Sequence, residues 1–128
     1  MPVKQAKGAK GRADRYYSLI IRSIGYCEKC GTSEGLTTSH IVGRRYSATR
    51  TDLKNSQCLC FSCHRYFTDW PKEFSRWITQ SIGTELYEEL KQKAEAGAKI
   101  NWDIEADRLK DIYKQITKGE LTPMEVRK

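Results

Sequence analysis

Apolar positions along the chain change their period, and the changes divide it into elements. Tyr16, Leu19, Ile20 and Ile24 recur at helical spacing on one face. Asp14 is placed to cap that helix and Gly25 to stop it. Residues 1–13 are rich in Lys, Gly and Ala with almost nothing to bury, and read as a flexible basic arm. Leu36 to Val42 reads as a strand, because Thr37, Thr38, Ile41 and Val42 are β-branched. Gly43 to Lys54 is a long polar loop, Ser56 to Leu59 a second short strand, and Phe61 to about Thr68 a short helix. Pro71 suits the first turn of a helix that reaches Ile82 and ends at Gly83. Further helices run from Thr84 to about Ala96, closed by Gly97, and from Asp103 to Lys118, closed by Gly119. Thr122 and Pro123 start a final short turn. Ile104, Leu109, Ile112, Tyr113 and Ile116 form an apolar stripe, a pattern that marks supporting core rather than a partner groove. Trp70, Phe74 and Trp77, at near-helical spacing, also read as core. The pattern predicts an α+β chain that is mainly α.

The length, 128 residues, suits one domain with a modest core, so a structural metal matters to its stability. No run of about 18 apolar residues predicts a transmembrane helix. The opening stretch has no apolar run behind its lysines, unlike a secretory signal. The formal charge is +7, unevenly placed. Residues 1–23 carry six basic and one acidic residue, 24–76 eight and five, and 77–128 nine and ten. A one-sided positive field attracts polyanions, which makes nucleic acid a candidate partner.

Five cysteines without an apolar leader point away from a disulfide scaffold and towards a cytoplasmic setting. Cys27 with Cys30 and Cys60 with Cys63 are each spaced C-x2-C, so each pair grips one ion from a tight turn, and Gly31 suits the first turn. Together they supply the four sulfurs of a tetrahedral structural zinc site, Zn²⁺ on four thiolates. Cys58 is left over and reads as a small packed residue, although spacing leaves an exchange with Cys60 open.

The chain has two histidines, His40 at the end of the first strand and His64 directly after Cys63. Fifteen positions separate His40 from Asn55, and nine separate Asn55 from His64. The string C27-E-K-C30, S39-H40-I-V and N55-S-Q-C-L-C60-F-S-C63-H64 resembles the HNH endonucleases of the ββα-metal fold. The resemblance covers residues 26–70. The stretch from Ser39 through Arg44, Arg45, Arg50 and Asp52 to Asn55 is further similar to NinG-type phage recombination nucleases.

The resemblance implies a small ββα-metal core at 26–70, within a single nuclease domain at 14–128 whose supporting helices occupy 71–118. It implies a metal-dependent DNA endonuclease with His40 as general base and His64 as ligand of a catalytic divalent ion, Mg²⁺, Mn²⁺ or similar. Asn55 in the family either holds the loop that aims the base or contacts the metal. Phage or recombination proteins are possible further partners, with the host cytoplasm as location. The chemistry agrees: phosphodiester hydrolysis needs an activated water and charge stabilisation on the phosphate, and a histidine is a usable base at neutral pH. Arg44, Arg45, Arg50 and Arg65 are the expected DNA-binding residues, through phosphate contacts.

One departure stands out. Ser39 occupies the position where most members carry an Asp or His metal ligand, and Thr68 the position of a second helix histidine in some. Asp52 and Asp69 are the nearby carboxylates able to compensate. A non-catalytic zinc-stabilised nucleic-acid-binding or adaptor protein is the alternative, and Ser39 is its best support.

Overall fold

The computed structural model describes residues 7–128. Helix α1 spans Gly8–Arg22, strand β1 Leu36–Ser39, the short helix α2 Ser47–Arg50 and strand β2 Gln57–Cys60. Then follow α3 (Phe61–Asp69), α4 (Pro71–Ile82), α5 (Thr84–Ala96), α6 (Trp102–Thr117) and α7 (Pro123–Arg127). The fold is mainly helical around one two-stranded antiparallel sheet, with Leu36 opposite Cys60 and Ser39 opposite Gln57. No helix among the described residues is long and apolar enough to cross a membrane.

Helix α1 starts six residues before the expected Asp14, and Asp14 lies within it rather than capping it. The part of the expected arm at residues 8–13 is therefore helical, while residues 1–6 lie outside the described ones. The cause is tertiary. Gly11 and Ala13 are buried, and α1 packs chiefly on α6, where Ala13, Tyr17, Ile20 and Ile21 join Ala106 and Leu109 in one core cluster. Small residues allow close helix approach, and that packing outweighs the poor helix propensity of glycine.

Strand β1 stops at Ser39, three residues short of the expected Val42. The opposing chain has already turned: the Asn55 amide N–H donates to the Asp52 carbonyl (2.8 Å) and the Ser56 hydroxyl to the Leu53 carbonyl (2.6 Å). Val42 pairs instead with the Asn55 side chain, which accepts from its N–H (2.7 Å) and donates to its carbonyl (3.0 Å). His40 thus leaves the strand at the end of the ladder.

The expected helix ends at Ile82 and Ala96 are found. Pro71 opens α4, where its missing N–H costs nothing. Gly83, with φ +88°, breaks the chain between α4 and α5. The final turn is a helix opened by a capping box between Thr122 and Glu125. Arg127 anchors it to the first cysteine pair through two 2.6 Å bonds to the carboxylate of Glu28. Phe74 and Trp77 pack around Phe67 as core, with ring centroids 5.3 and 5.1 Å away. Trp70 does not: it is 59% exposed at the α3–α4 junction.

Candidate metal centre and catalytic cleft

The turn before β1 and the end of β2 bring the two cysteine pairs together. The sulfurs of Cys27, Cys30, Cys60 and Cys63 all lie within 4.8 Å of one another, the one such group of metal-ligating side chains among the described residues. A tetrahedron of sulfurs about 2.3 Å from zinc has edges of about 3.8 Å. Cys30 and Cys60 are 3.7 Å apart. The amides of Cys30 and Cys63 donate to the sulfurs of Cys27 and Cys60, each at 3.4 Å, so both turns present N–H groups to a thiolate in the same way. Burial alone would raise Cys27, but the backbone donors of Cys60, Cys30 and Lys29 bring its pKa down to about 6. Cys63 is pushed well up, by burial and by its contacts with the other three sulfurs. Four such close thiols do not ionise together without a cation, and the all-sulfur donor set suits zinc.

Cys58 is not part of this group. It is fully buried among the α1 and α6 side chains, and burial, with the Glu28 charge next, raises its pKa to about 11. Its backbone exchanges bonds with Glu28: the Glu28 N–H donates to the Cys58 carbonyl and the Cys58 N–H to the Glu28 carboxylate, each at 2.8 Å.

Beside the cysteine group lies a cleft of about 650 Å³, lined by α1, the end of β1 and α3. His40 and His64 both line it. Nε2 of His40 lies 2.9 Å from the Arg50 carbonyl. A carbonyl only accepts, so Nε2 carries the proton and Nδ1 keeps its lone pair. The ring stacks on Tyr17 at 5.0 Å and 27°. Burial lowers the His40 pKa to about 4; the Arg50 carbonyl partly offsets this, and the Arg44 charge adds to it. His40 is therefore neutral at neutral pH.

His64 shows the opposite tautomer. Its Nδ1 lies 2.8 Å from the Thr37 hydroxyl, and that hydroxyl donates its single proton to the Leu59 carbonyl at 2.7 Å. Nδ1 of His64 must then donate, which leaves the lone pair on Nε2. Burial lowers its pKa as well.

Asn55 is fully buried and does not line the cleft. Besides its two bonds to Val42, its side chain donates to the Thr49 carbonyl at 2.9 Å, so it clamps both ends of the loop that carries Arg44. Its own carbonyl accepts from the Tyr17 hydroxyl at 2.5 Å. Of the two open roles for Asn55, the geometry is that of a loop clamp.

The remaining candidates divide. Ser39 is buried and lines the cleft, as does Thr68, whose hydroxyl donates to the His64 carbonyl at 2.9 Å. Asp52 is held by Lys93 at 2.7 Å and caps the Lys54 N–H at 3.0 Å, and neither it nor Asp69 lines the cleft. Arg50 is committed internally: Nε and Nη2 grip both oxygens of Asp14 at 2.9 and 2.6 Å. Arg44 shares that carboxylate at 3.3 Å and lines the cleft. Arg45 bonds the Tyr46 hydroxyl at 2.7 Å, and Arg65 is exposed on α3. The carboxylate that does line the cleft is Asp14. In the sequence Asp14 reads as a helix cap, and since α1 lies outside the 26–70 stretch, no local signal marks it for the cleft. No family model, curated protein or solved structure matches the chain.

Proposed function

We propose that the protein is a metal-dependent DNA endonuclease with a ββα-metal core of the HNH type, formed by β1, β2 and α3. The observation that supports this best is the pair of imidazoles on one cleft, each held through one nitrogen with the other nitrogen's lone pair available. Nδ1 of His40 takes a proton from the attacking water. A bound phosphodiester places negative charge beside that ring and raises its proton affinity from the low resting value. Tyr17 and the Arg50 carbonyl keep the ring aimed, and Asn55 keeps the loop in place. Nε2 of His64 would hold a divalent ion, which when bound would supply charge stabilisation for the phosphate. Cys60 and Cys63, which with Cys27 and Cys30 would hold the zinc, fix the start of α3, where Cys60 caps the helix and His64 sits in its first turns.

Plasmid nicking by the zinc-loaded chain, supplied with Mg²⁺ or Mn²⁺, tests the reading. Wild type should nick and His40→Ala should not. Absence of cleavage by either, on duplex, branched and single-stranded DNA, would refute catalysis.

A zinc-stabilised nucleic-acid-binding or adaptor protein is the second reading. It is favoured by Ser39 and Thr68: apart from His40, the proposed base, and the engaged Asp14, His64 is the one strong divalent-ion ligand among the described residues lining the cleft. Mg²⁺ commonly keeps several waters and few protein ligands, so a sparse donor set is compatible with weak binding completed by substrate phosphate.

A further inference from the structure

The arginines expected to meet phosphate are mostly occupied or elsewhere. Arg50 is locked onto Asp14, Arg44 shares that carboxylate, and neither Arg45 nor Arg65 lines the cleft. Two other arginines do line it. Arg15 and Arg22 are exposed on α1, seven residues apart on the face that also carries Ser18. Seven residues are about two helical turns, or roughly 10 Å along the axis. Among the described residues neither has a carboxylate within ion-pairing distance, and Arg22 makes one 3.4 Å bond to the Ser18 carbonyl. The one carboxylate lining the cleft among the described residues, Asp14, is already neutralised by Arg50 and Arg44. The cleft therefore carries uncompensated positive charge, and two arginines on α1 are its main source.

We propose that Arg15 and Arg22 form the phosphate-binding wall of this cleft and hold the sugar–phosphate backbone of DNA against His40 and His64. The proposal rests on the nuclease reading of the cleft and extends it to a helix outside the ββα core. A cleft whose lining includes two arginines about two turns apart on one helix, together with two imidazoles, suits an extended polyanion better than a small ligand. Guanidinium groups on a helix grip phosphate without reading bases, so this wall supplies affinity and register rather than sequence choice.

The test is the salt dependence of DNA binding by the full zinc-loaded chain, without added Mg²⁺ or Mn²⁺. Wild type is compared with Arg15→Gln/Arg22→Gln, using a short fluorescent duplex and its single strand. Loss of two phosphate contacts should flatten the slope of log affinity against log salt by about 1.8 for duplex and about 1.4 for single strand. Between about 50 and 200 mM salt, the variant should then lose roughly 12-fold less affinity than wild type on duplex and roughly 7-fold less on single strand. A change on either probe supports the wall, and a change confined to one probe shows which form of DNA it holds. The control, Arg12→Gln/Arg108→Gln, removes the same charge at positions that pair with Asp103 and Glu105 and do not line the cleft. It should leave both slopes near wild type. Unchanged slopes for the cleft variant on both probes, or equal changes in variant and control, would overturn the proposal. Because nothing is cleaved, the outcome separates from that of the nuclease reading. A flattened slope without nicking keeps the wall and removes catalysis; normal nicking with an unchanged slope removes the wall alone.

Discussion

The ring of His64 is oriented by Thr37: Nδ1 stands 2.8 Å from a hydroxyl whose only proton goes to the Leu59 carbonyl. β1 thus sets the tautomer of a side chain on α3 and turns Nε2 into the available ligand. Thr37→Val keeps the β-branched shape and removes the acceptor. Its expected effect is a 10–100-fold loss of divalent-ion affinity or cleavage, the usual cost of losing such a supporting bond. Nitrogen NMR of the imidazoles checks the cause directly: wild-type His64 should show the Nδ1–H tautomer, and Thr37→Val a mixture. Zinc content should not change.

His40 should carry a pH signature. Its folded pKa, about 4, lies below the ordinary 6.5 because burial disfavours the charged ring. The unfolded chain therefore binds the proton first as pH falls. This contribution to stability is complete above pH 6.5 and is lost as pH falls through 4. The total is on the order of 3 kcal/mol at most. Denaturation of wild type and His40→Gln across that window should show a steeper acid loss for wild type. An NMR titration placing the ring at 6.5 or higher would contradict this.

Asp14 and Arg50 form the ion pair that backs His40, since the Arg50 carbonyl is what His40 donates to. Asp14→Asn leaves a mostly buried guanidinium short of its partner. It should cost about 1–3 kcal/mol in urea denaturation. Paired with Arg50→Met in a double-mutant cycle, the two changes should cost clearly less together than the sum of each alone.

The cysteines should separate cleanly by role. The chain should hold one zinc ion on Cys27, Cys30, Cys60 and Cys63. Cys60→Ser should lose it while its hydroxyl still caps α3. Cys58→Ala should keep full zinc and lose about 1 kcal/mol of packing. Zinc release followed by a colorimetric chelator, together with thermal melts, distinguishes the two.

What the sequence revealed follows from where the signal was local. The helix stops at Gly83 and Gly97, Pro71 at the start of α4 and the two C-x2-C pairs are each encoded within a few residues, and the structure places all of them as expected. The long-range choices were not legible. Gly11 is buried in an α1 that Ala13, Tyr17, Ile20 and Ile21 dock on α6, and β1 ends at Ser39 because Asn55, sixteen positions on, takes up Val42. Asp14 and Arg50 are ordinary charged residues in sequence, and only the packing of α1 over the loop makes them partners. The same packing brings Arg15 and Arg22 to the cleft, while Trp70, expected inside, is left out at a helix junction.

The central claim is that the two imidazoles serve one ion and one phosphate. Mn²⁺ titrated into the zinc-loaded protein, with a dinucleotide phosphodiester present, tests it through paramagnetic broadening of the histidine ring signals. The account predicts that both rings broaden over the same Mn²⁺ concentrations, His64 more strongly than His40, and that His64→Ala abolishes the effect on His40. Broadening of neither ring, or of one without the other, would contradict it.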